Sequence, residues 1–248
     1  MDTAFVVTAQ LAAPDPSMIV SVAREFGFEL THRHSDRPSD EGEALSFDIA
    51  GGGYVLVAWL QLHAHPDAHA FGPFSATADE LKAARGTLVV TTPPIDAPLE
   101  QRDLRLAALA SAVAGADGAI AVRSGHSLLL VKAALFTEMV RISLSAGALV
   151  PEIAVDITTK HEFGPRMRFL TNGMERFGRE ELYVTCSTNG KGALPFVLDM
   201  VRWLLTDRAK QLPTGHTVGR TPEEKIVVRR VSNPERKGRE VIKLDFPG

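Results

Sequence analysis

One stretch decides the fold class of this chain: Leu45-Ser46-Phe47-Asp48-Ile49-Ala50-Gly51-Gly52-Gly53-Tyr54-Val55-Leu56-Val57-Ala58-Trp59-Leu60. Leu45, Phe47 and Ile49 alternate with polar residues, which is the period of a strand with one face in water. The three glycines then reverse the chain, so the next run returns as the second arm of a hairpin. Because residues 54–60 are apolar on both sides, we expect this second strand to lie in the middle of a sheet covered on both faces.

A strand and a helix precede this hairpin. Residues 5–11 are rich in β-branched and apolar side chains and predict a strand. Asp15 is a good N-cap, Pro16 suits the first helical position, and apolar residues recur at helical spacing until Gly27 ends the helix. The first quarter of the chain therefore combines a helix with antiparallel strands.

Helices and strands continue to the end of the chain, with a break where Gly147 and Pro151 coincide with a change in composition. We place an internal boundary near residues 147–151, within a single 248-residue unit. Helices between pairs of strands occur on both sides of it, which suggests two similar, ferredoxin-like halves. The last segments, 225–231 and 241–246, predict a terminal hairpin. The expected class is α+β, with mixed, largely antiparallel sheets and packed helices.

Composition excludes several classes of protein. The chain is 45% hydrophobic and 23% charged, as in folded globular proteins. Its net charge of −3 gives no field that would attract nucleic acid or an anionic membrane. The longest apolar run has seven residues, 54–60, against the roughly 18–20 that cross a bilayer. We expect neither nucleic acid nor a membrane as a partner.

Cys186 and the first residues indicate the compartment. A single cysteine cannot close an intramolecular disulfide, and Met1-Asp2-Thr3-Ala4 lacks the basic region that opens a secretory signal. We therefore expect a cytoplasmic protein, in which Cys186 is a small buried apolar residue rather than a reactive thiol.

Charge is distributed unevenly along the chain. Residues 1–150 carry 10 basic and 17 acidic side chains, a net of −7, whereas residues 151–248 carry 17 and 13, a net of +4. Chance is one explanation. The other is that a basic C-terminal face docks on the first half or receives an acidic partner.

The densest group of potential metal ligands is His63-Ala64-His65-Pro66-Asp67-Ala68-His69. In an extended segment His63 and His65 point to the same side, and His69 could fold back to complete a face of three imidazoles with a position open for water. That arrangement would make a metal-dependent hydrolase, our alternative function. Because no helical His-Glu-x-x-His motif is present, we predict a polar loop and no metal site.

Other catalytic and cofactor motifs are missing. The chain has no Gly-x-Ser-x-Gly elbow, no complete phosphate loop and no Gly-x-Gly-x-x-Gly after a strand. Glu180 and Glu181 are neighbours on a predicted strand, so their carboxylates point to opposite faces and cannot act as an acid–base pair. We predict no catalytic residues and no cofactor.

The segment Thr171-Asn172-Gly173-Met174-Glu175-Arg176-Phe177-Gly178-Arg179-Glu180-Glu181-Leu182 is the most informative. Gly173 and Gly178 permit a positive φ on either side of a short turn. Phe177 is the expected buried anchor, and the Glu181 carboxylate can accept backbone N–H bonds. We interpret the segment as a structural turn, with a ligand site as the alternative.

Three segments resemble the bacterial family called domain of unknown function 4261: Thr171-Asn172-Gly173, Phe177-Gly178-Arg179-Glu180-Glu181-Leu182 and Gly215-His216-Thr217-Val218-Gly219. With Gly72-Pro73-Phe74 and the segment to Thr92, the resemblance covers about two thirds of the chain. It implies a bacterial intracellular α+β protein without an established reaction. By analogy it also implies a partner-binding protein of the immunity or adaptor type from toxin gene clusters.

These observations favour a non-enzymatic module that binds another protein, of unknown identity, through an exposed face near Arg176, Arg179 and Glu180. The apolar run 128–135 could instead serve as a homodimer surface, although burial in the core is the more common fate of such a run.

Overall fold

The structure is a computed structural model, and it describes residues 1–39, 42–61, 72–127, 129–162, 164–188, 190–206 and 211–247. The chain forms two compact units. Unit 1 contains the described residues up to Ile153 apart from Gly72 and Pro73, and unit 2 contains these two and the described residues from Ala154 onwards. The division therefore falls two residues beyond the predicted boundary at 147–151.

Unit 1 is built on a seven-stranded sheet in which the described strand pairs are antiparallel. In chain order the strands are β1 (Asp2–Thr8), β2 (Leu30–Ser39), β3 (Gly42–Ile49), β4 (Tyr54–Gln61), β5 (Gly86–Thr92), β6 (Ala121–Ser124) and β7 (Val131–Lys132). Across the sheet the order is β2-β3-β4-β5-β1-β6-β7. The helices are α1 (Pro16–Glu25), α2 (Ala78–Leu81), α3 (Leu99–Asp117) and α4 (Ala133–Ala146), and α5 (Pro151–Ala154) spans the boundary between the units.

The predicted hairpin is present as β3 and β4. Leu45 pairs with Val57 and Phe47 with Val55, and the Ile49 N–H donates to the Gly53 carbonyl at 3.1 Å. The prediction that β4 is covered on both faces is wrong. Its inward residues are buried with α3 in one core cluster, whereas Tyr54, Leu56 and Leu60 are 37%, 37% and 49% exposed. Apolar side chains on a surface are common, so composition alone could not distinguish the two cases.

Helix α1 begins as predicted. The Asp15 carboxylate accepts a hydrogen bond from the Ser17 N–H at 2.7 Å, and Pro16 occupies the first turn. Ile19 and Ala23 are buried on the face that packs into the unit 1 core. Sequence signals at helix starts are local, which is why they predict this element well.

Unit 2 has a five-stranded sheet and one long helix among its described residues. The strands are β8 (Asp156–His161), β9 (Arg166–Asn172), β10 (Leu182–Ser187), β13 (Arg229–Ser232) and β14 (Glu240–Asp245), in the order β13-β14-β10-β9-β8. A two-stranded sheet joins β11 (Thr217–Val218) to β12 (Ile226–Val227). The 3₁₀ helix η1 (Met174–Phe177) follows β9, and α6 (Ala193–Thr206) follows β10.

The terminal hairpin is confirmed, because β13 and β14 pair with Val231 opposite Val241. Strand β14 also pairs in parallel with β10. Parallel neighbours need a crossover connection, and the chain between β10 and β14 includes α6. Helix α6 buries Phe196, whose ring lies 5.2 Å from that of Phe246 just after β14. Helix α6, which belongs to the crossover, therefore packs against the residue that follows β14.

The α+β class is confirmed, but the ferredoxin-like halves are not. Such a half has the order βαββαβ. Unit 2 instead begins with three strands, β8, β9 and β10, that pair in succession before α6. In unit 1 the neighbours β2, β3, β4 and β5 also follow one another in the sheet. Short connections, as from β2 to β3 and from β3 to β4, favour hairpin pairing over βαβ crossovers.

Two expectations concern the rest of the molecule. Among the described residues, no helix is both long enough and apolar enough to cross a membrane. Cys186 is buried, and its burial raises the pKa of the thiol, as expected for an inert structural cysteine.

Candidate functional site

The candidate site is the β9–β10 turn, defined here as residues 173–181. The turn contains η1 between two glycines whose backbones are left-handed, Gly173 with φ +118° and Gly178 with φ +71°. A side chain at either position would be strained. Both glycines therefore act as the sequence predicted.

Glu181 holds this turn from inside the protein. Its side chain is only 3% exposed and accepts hydrogen bonds from the Gly173 N–H at 2.8 Å and the Glu175 N–H at 3.3 Å. The Thr171 hydroxyl donates to the second carboxylate oxygen at 2.6 Å and accepts from the Leu182 N–H at 2.7 Å. The predicted role of Glu181 as an acceptor of backbone N–H groups is confirmed. Two strand ends and one 3₁₀ helix are fixed by a single carboxylate.

The environment of Glu181 also affects its protonation. Burial raises the pKa of its carboxyl, while the hydrogen bonds from Thr171, Gly173 and Glu175 act in the opposite direction. Because it accepts hydrogen bonds from Thr171 and from two N–H groups of the turn, Glu181 is a positioning group for the backbone.

The buried anchor of the turn is Met174 rather than Phe177. Met174 is fully buried, whereas Phe177 is half-buried. The expectation that Phe177 is the plug is therefore wrong. A 3₁₀ helix has about three residues per turn, so Met174 and Phe177 lie near one side of it and the first, next to the strand end, reaches the core.

The predicted binding residues Arg176, Arg179 and Glu180 all lie on this turn and are half-buried. The Arg176 guanidinium lies 5.7 Å from the centre of the Phe177 ring, within the range of a cation–π contact. The Phe177 ring thus contacts the Arg176 guanidinium, which gives this half-buried aromatic residue a role.

Glu180 is held in a two-point ion pair. Its two carboxylate oxygens accept from Arg230 Nε at 2.8 Å and Nη2 at 2.7 Å. Arg230 Nη1 also donates to the Thr214 hydroxyl at 2.7 Å. Planar two-point pairing fixes the orientation of both groups. Glu180 and Arg230 therefore connect the β9–β10 turn to β13 and to the segment before β11.

The connection between β13 and β14 brings two more arginines to the turn. Arg236 donates a hydrogen bond to the Asn172 side-chain oxygen, and Arg239 lies 3.6 Å from the Glu175 carboxylate. Glu235 in the same connection pairs with Arg168 at 2.9 Å. We call Arg176, Arg179, Arg236 and Arg239 the arginine cluster.

A cavity of about 240 Å³ lies beside the turn within unit 2. Its lining includes Arg179 and Glu180 but not Arg176. The other described lining residues are Gly178, Leu204, Gln211, Leu212, Arg230 and Ile242. The structure thus brings two of the three predicted binding residues to one cavity and leaves the third on the neighbouring surface.

Sequence reasoning missed Arg230 and Thr171 as parts of the site. Arg230 lies in the predicted C-terminal hairpin, and no local signal links it to Glu180, 50 residues away. The threonine was noticed as a motif residue, but its relay between Glu181 and Leu182 depends on the pairing of β9 with β10. Both roles arise from tertiary contacts.

The third motif segment, residues 215–219, is also structural. A Cβ added to Gly219 would lie 2.1 Å from the Glu224 carbonyl oxygen, so this glycine permits close backbone packing. Glu224 in turn binds the Arg220 side chain, at 2.5 Å from Nη2. The glycines of the three motif segments 171–173, 177–182 and 215–219 thus shape turns within unit 2.

His63, His65 and His69 lie outside the described residues. Within the ranges that the structure describes, no group of three or more His, Cys, Asp or Glu side chains could hold a metal ion. In the run 128–135, Leu129 and Val131 are buried and Leu135 is 36% exposed, while Leu128 is outside the described residues.

No family model, curated protein or solved structure matches this chain. The resemblance to domain of unknown function 4261 therefore stays a prediction. Function is therefore inferred from the geometry of unit 2.

Proposed function

We propose that this chain is a non-enzymatic module that binds another protein through the arginine cluster of unit 2, with Glu180 at its border. The partner surface that fits is acidic, because the cluster brings four guanidinium groups to one part of unit 2. Apart from Gly72 and Pro73, the described residues of unit 2 lie within residues 151–248, which carry a net charge of +4. Complementary charge favours encounter and correct orientation of two proteins.

The observation that carries the proposal is the hydrogen-bonded turn that holds Arg176 and Arg179, two members of the cluster. Glu181 binds two N–H groups of the turn, and Met174 anchors it in the core. A surface that is already ordered before binding loses less conformational entropy when a partner docks. Arg176 and Arg179 are half-buried residues of this ordered turn.

The resemblance to domain of unknown function 4261 supports the same class of function. We propose membership of that family and, with it, a bacterial immunity or adaptor role. The motif residues Thr171, Gly173 and Glu181 belong to one hydrogen-bonded network that holds the turn, which supports a structural role for the motif.

Affinity capture with charge-reversed bait tests this function. Arg239→Glu changes an arginine whose side chain is 64% exposed and whose ion pair is 3.6 Å long, so the fold should tolerate it. Arg202→Glu on α6, 52% exposed, is the matched control outside the cluster. We expect a protein from the source organism to be retained by the wild type and by Arg202→Glu, and to be lost with Arg239→Glu. Equal retention by all three baits contradicts the proposal, and so does capture of no protein.

A further inference from the structure

Among the described residues, helices pack on one face of the unit 1 sheet and reach only one end of the other face. Helices α1, α3 and α4 share one core cluster with the inward residues of the strands. We call the opposite side, which carries Phe5 and Leu56, the outer face. At one end of it, Val7 and Ala121 are buried beneath α2. Farther along, Leu56 and Leu60 are 37% and 49% exposed, so an apolar area is open to water in the single chain.

The centre of the outer face carries no charge. The outward residues of the adjacent strands β4, β5 and β1 are apolar residues, threonine or tyrosine. Charged side chains lie at the two sides of this area. On one side Arg33 and Asp48 form an ion pair of 2.6 Å. On the other, the Arg123 guanidinium lies 4.6 Å from the centre of the Phe5 ring. An uncharged centre with a charged rim is typical of protein interfaces.

The outer face is large enough for a dimer contact. The neighbouring strands β2, β3, β4, β5 and β1 have seven to ten residues each. With about 4.8 Å between strands and about 3.4 Å between residues, the outer face of these strands measures roughly 550 Å². Two such faces in contact bury about 1,100 Å², which exceeds the ~1,000 Å² expected of a specific interface.

We propose that two copies of this chain associate through the outer faces of their unit 1 sheets, packed face to face as in a β-sandwich. Two sheets with the same twist can pack in this aligned way, about 10 Å apart. Because the centre of each face is uncharged, no unpaired charge is buried when the faces meet. A twofold contact uses the same surface on both copies and closes the assembly at two. This inference goes beyond the proposed function, since it concerns unit 1 and does not involve the arginine cluster.

Sedimentation equilibrium of the full-length chain tests the proposal. We expect a mass of twice 26.8 kDa that falls reversibly on dilution. Because the contact is apolar, the dimer should persist when the salt concentration is raised. A chain that stays monomeric up to roughly 0.1 mM overturns the proposal. Dissociation of the dimer by salt also overturns it, because that result indicates contact between charged surfaces.

Charged substitutions locate the contact. Leu56→Glu places a carboxylate at the centre of the outer face and should raise the dimer dissociation constant at least tenfold. Ile142→Glu is the matched control, because Ile142 is 48% exposed and lies on α4, which packs on the opposite side of the sheet. It should associate as the wild type does.

Circular dichroism shows whether each variant is folded. If Leu56→Glu does not fold, Leu60→Glu on the same strand provides the same comparison at a more exposed position. Unchanged association of a folded outer-face variant overturns the proposal, and so does equal weakening by Ile142→Glu.

Discussion

Glu181 shows how one buried carboxylate can determine a turn. It accepts from Gly173, Glu175 and Thr171, and replacing it with alanine leaves these donors without their acceptor. Each buried donor left unsatisfied costs about 1–3 kcal/mol. We expect Glu181→Ala to lower the free energy of unfolding by at least that amount, measured by urea denaturation. Glu181→Gln keeps an acceptor oxygen for the two N–H groups, so its free energy of unfolding should fall much less. Equal decreases in the two variants would contradict the role of this hydrogen-bond network.

The same residue makes stability depend on pH. Burial raises the pKa of the Glu181 carboxyl, so the folded protein keeps its proton at pH values where the unfolded chain has lost it. Its contribution is fully present below the unfolded-state pKa and is lost as the pH rises through the native one. The stability of the wild type minus that of Glu181→Gln should therefore fall with rising pH across this interval.

Asp117 requires a control in that experiment, because burial raises the pKa of its carboxyl as well. It is present in both proteins, so its effect cancels in the difference. A difference that is flat, or that grows with pH, would show that Glu181 does not titrate as its burial requires.

The two apolar side chains of the turn should differ in their contribution to stability. Met174 is fully buried, and its truncation to alanine should cost about 2–5 kcal/mol. Phe177 is half-buried and supports Arg176, so Phe177→Ala should cost less despite the larger side chain removed. Thermal melting of the two variants gives the comparison. A larger loss of stability in Phe177→Ala than in Met174→Ala would show that Phe177 is the anchor of the turn.

Residue-level reasoning from sequence was successful where the cause is local. The positive φ of Gly173 and Gly178, the Asp15 N-cap and the acceptor role of Glu181 follow from residue type and spacing. The choice between Met174 and Phe177 does not, since both lie near one side of η1 and only the tertiary structure brings Met174 into the core.

At the level of elements, the Glu180–Arg230 pair joins the β9–β10 turn to β13. The two side chains are 41% and 31% exposed, so solvent screens their attraction. We expect a coupling energy of about 0.2–1 kcal/mol in a double-mutant cycle with Glu180→Gln and Arg230→Gln. A coupling of zero would contradict the stabilising role of the pair between the turn and β13.

Strand β2 illustrates an element that sequence patterns do not indicate. Leu30–Ser39 contains no apolar alternation, because it is an edge strand whose described side chains from Thr31 to Arg37 are exposed. Register irregularities occur between His32 and His34 and between Asp36 and Ser39. Charges and bulges at an edge hinder pairing with other chains. Pairing with β3 therefore defines the strand, and a single sequence does not show that pairing.

At the scale of the whole molecule, the class and the division into two parts were accessible from the order of elements and the break near Gly147. The topology was not. The parallel pairing of β10 with β14 and the succession of neighbouring strands in unit 1 depend on contacts far apart in sequence. The uneven distribution of charge is evident from the sequence. The arginines of the cluster come together only because the β13–β14 connection contacts β9 and the β9–β10 turn.

The affinity of the captured partner, measured by calorimetry, tests the central claim most directly. The comparison is between the wild type, the double variant Arg176→Gln/Arg239→Gln and the control Arg202→Gln. Loss of two cluster charges should raise the Kd at least tenfold, about 1.4 kcal/mol, and the wild-type affinity should fall as salt screens the charges. The control should bind as the wild type does. An unchanged Kd for the double variant, with no dependence on salt, would contradict a protein-binding function for this surface.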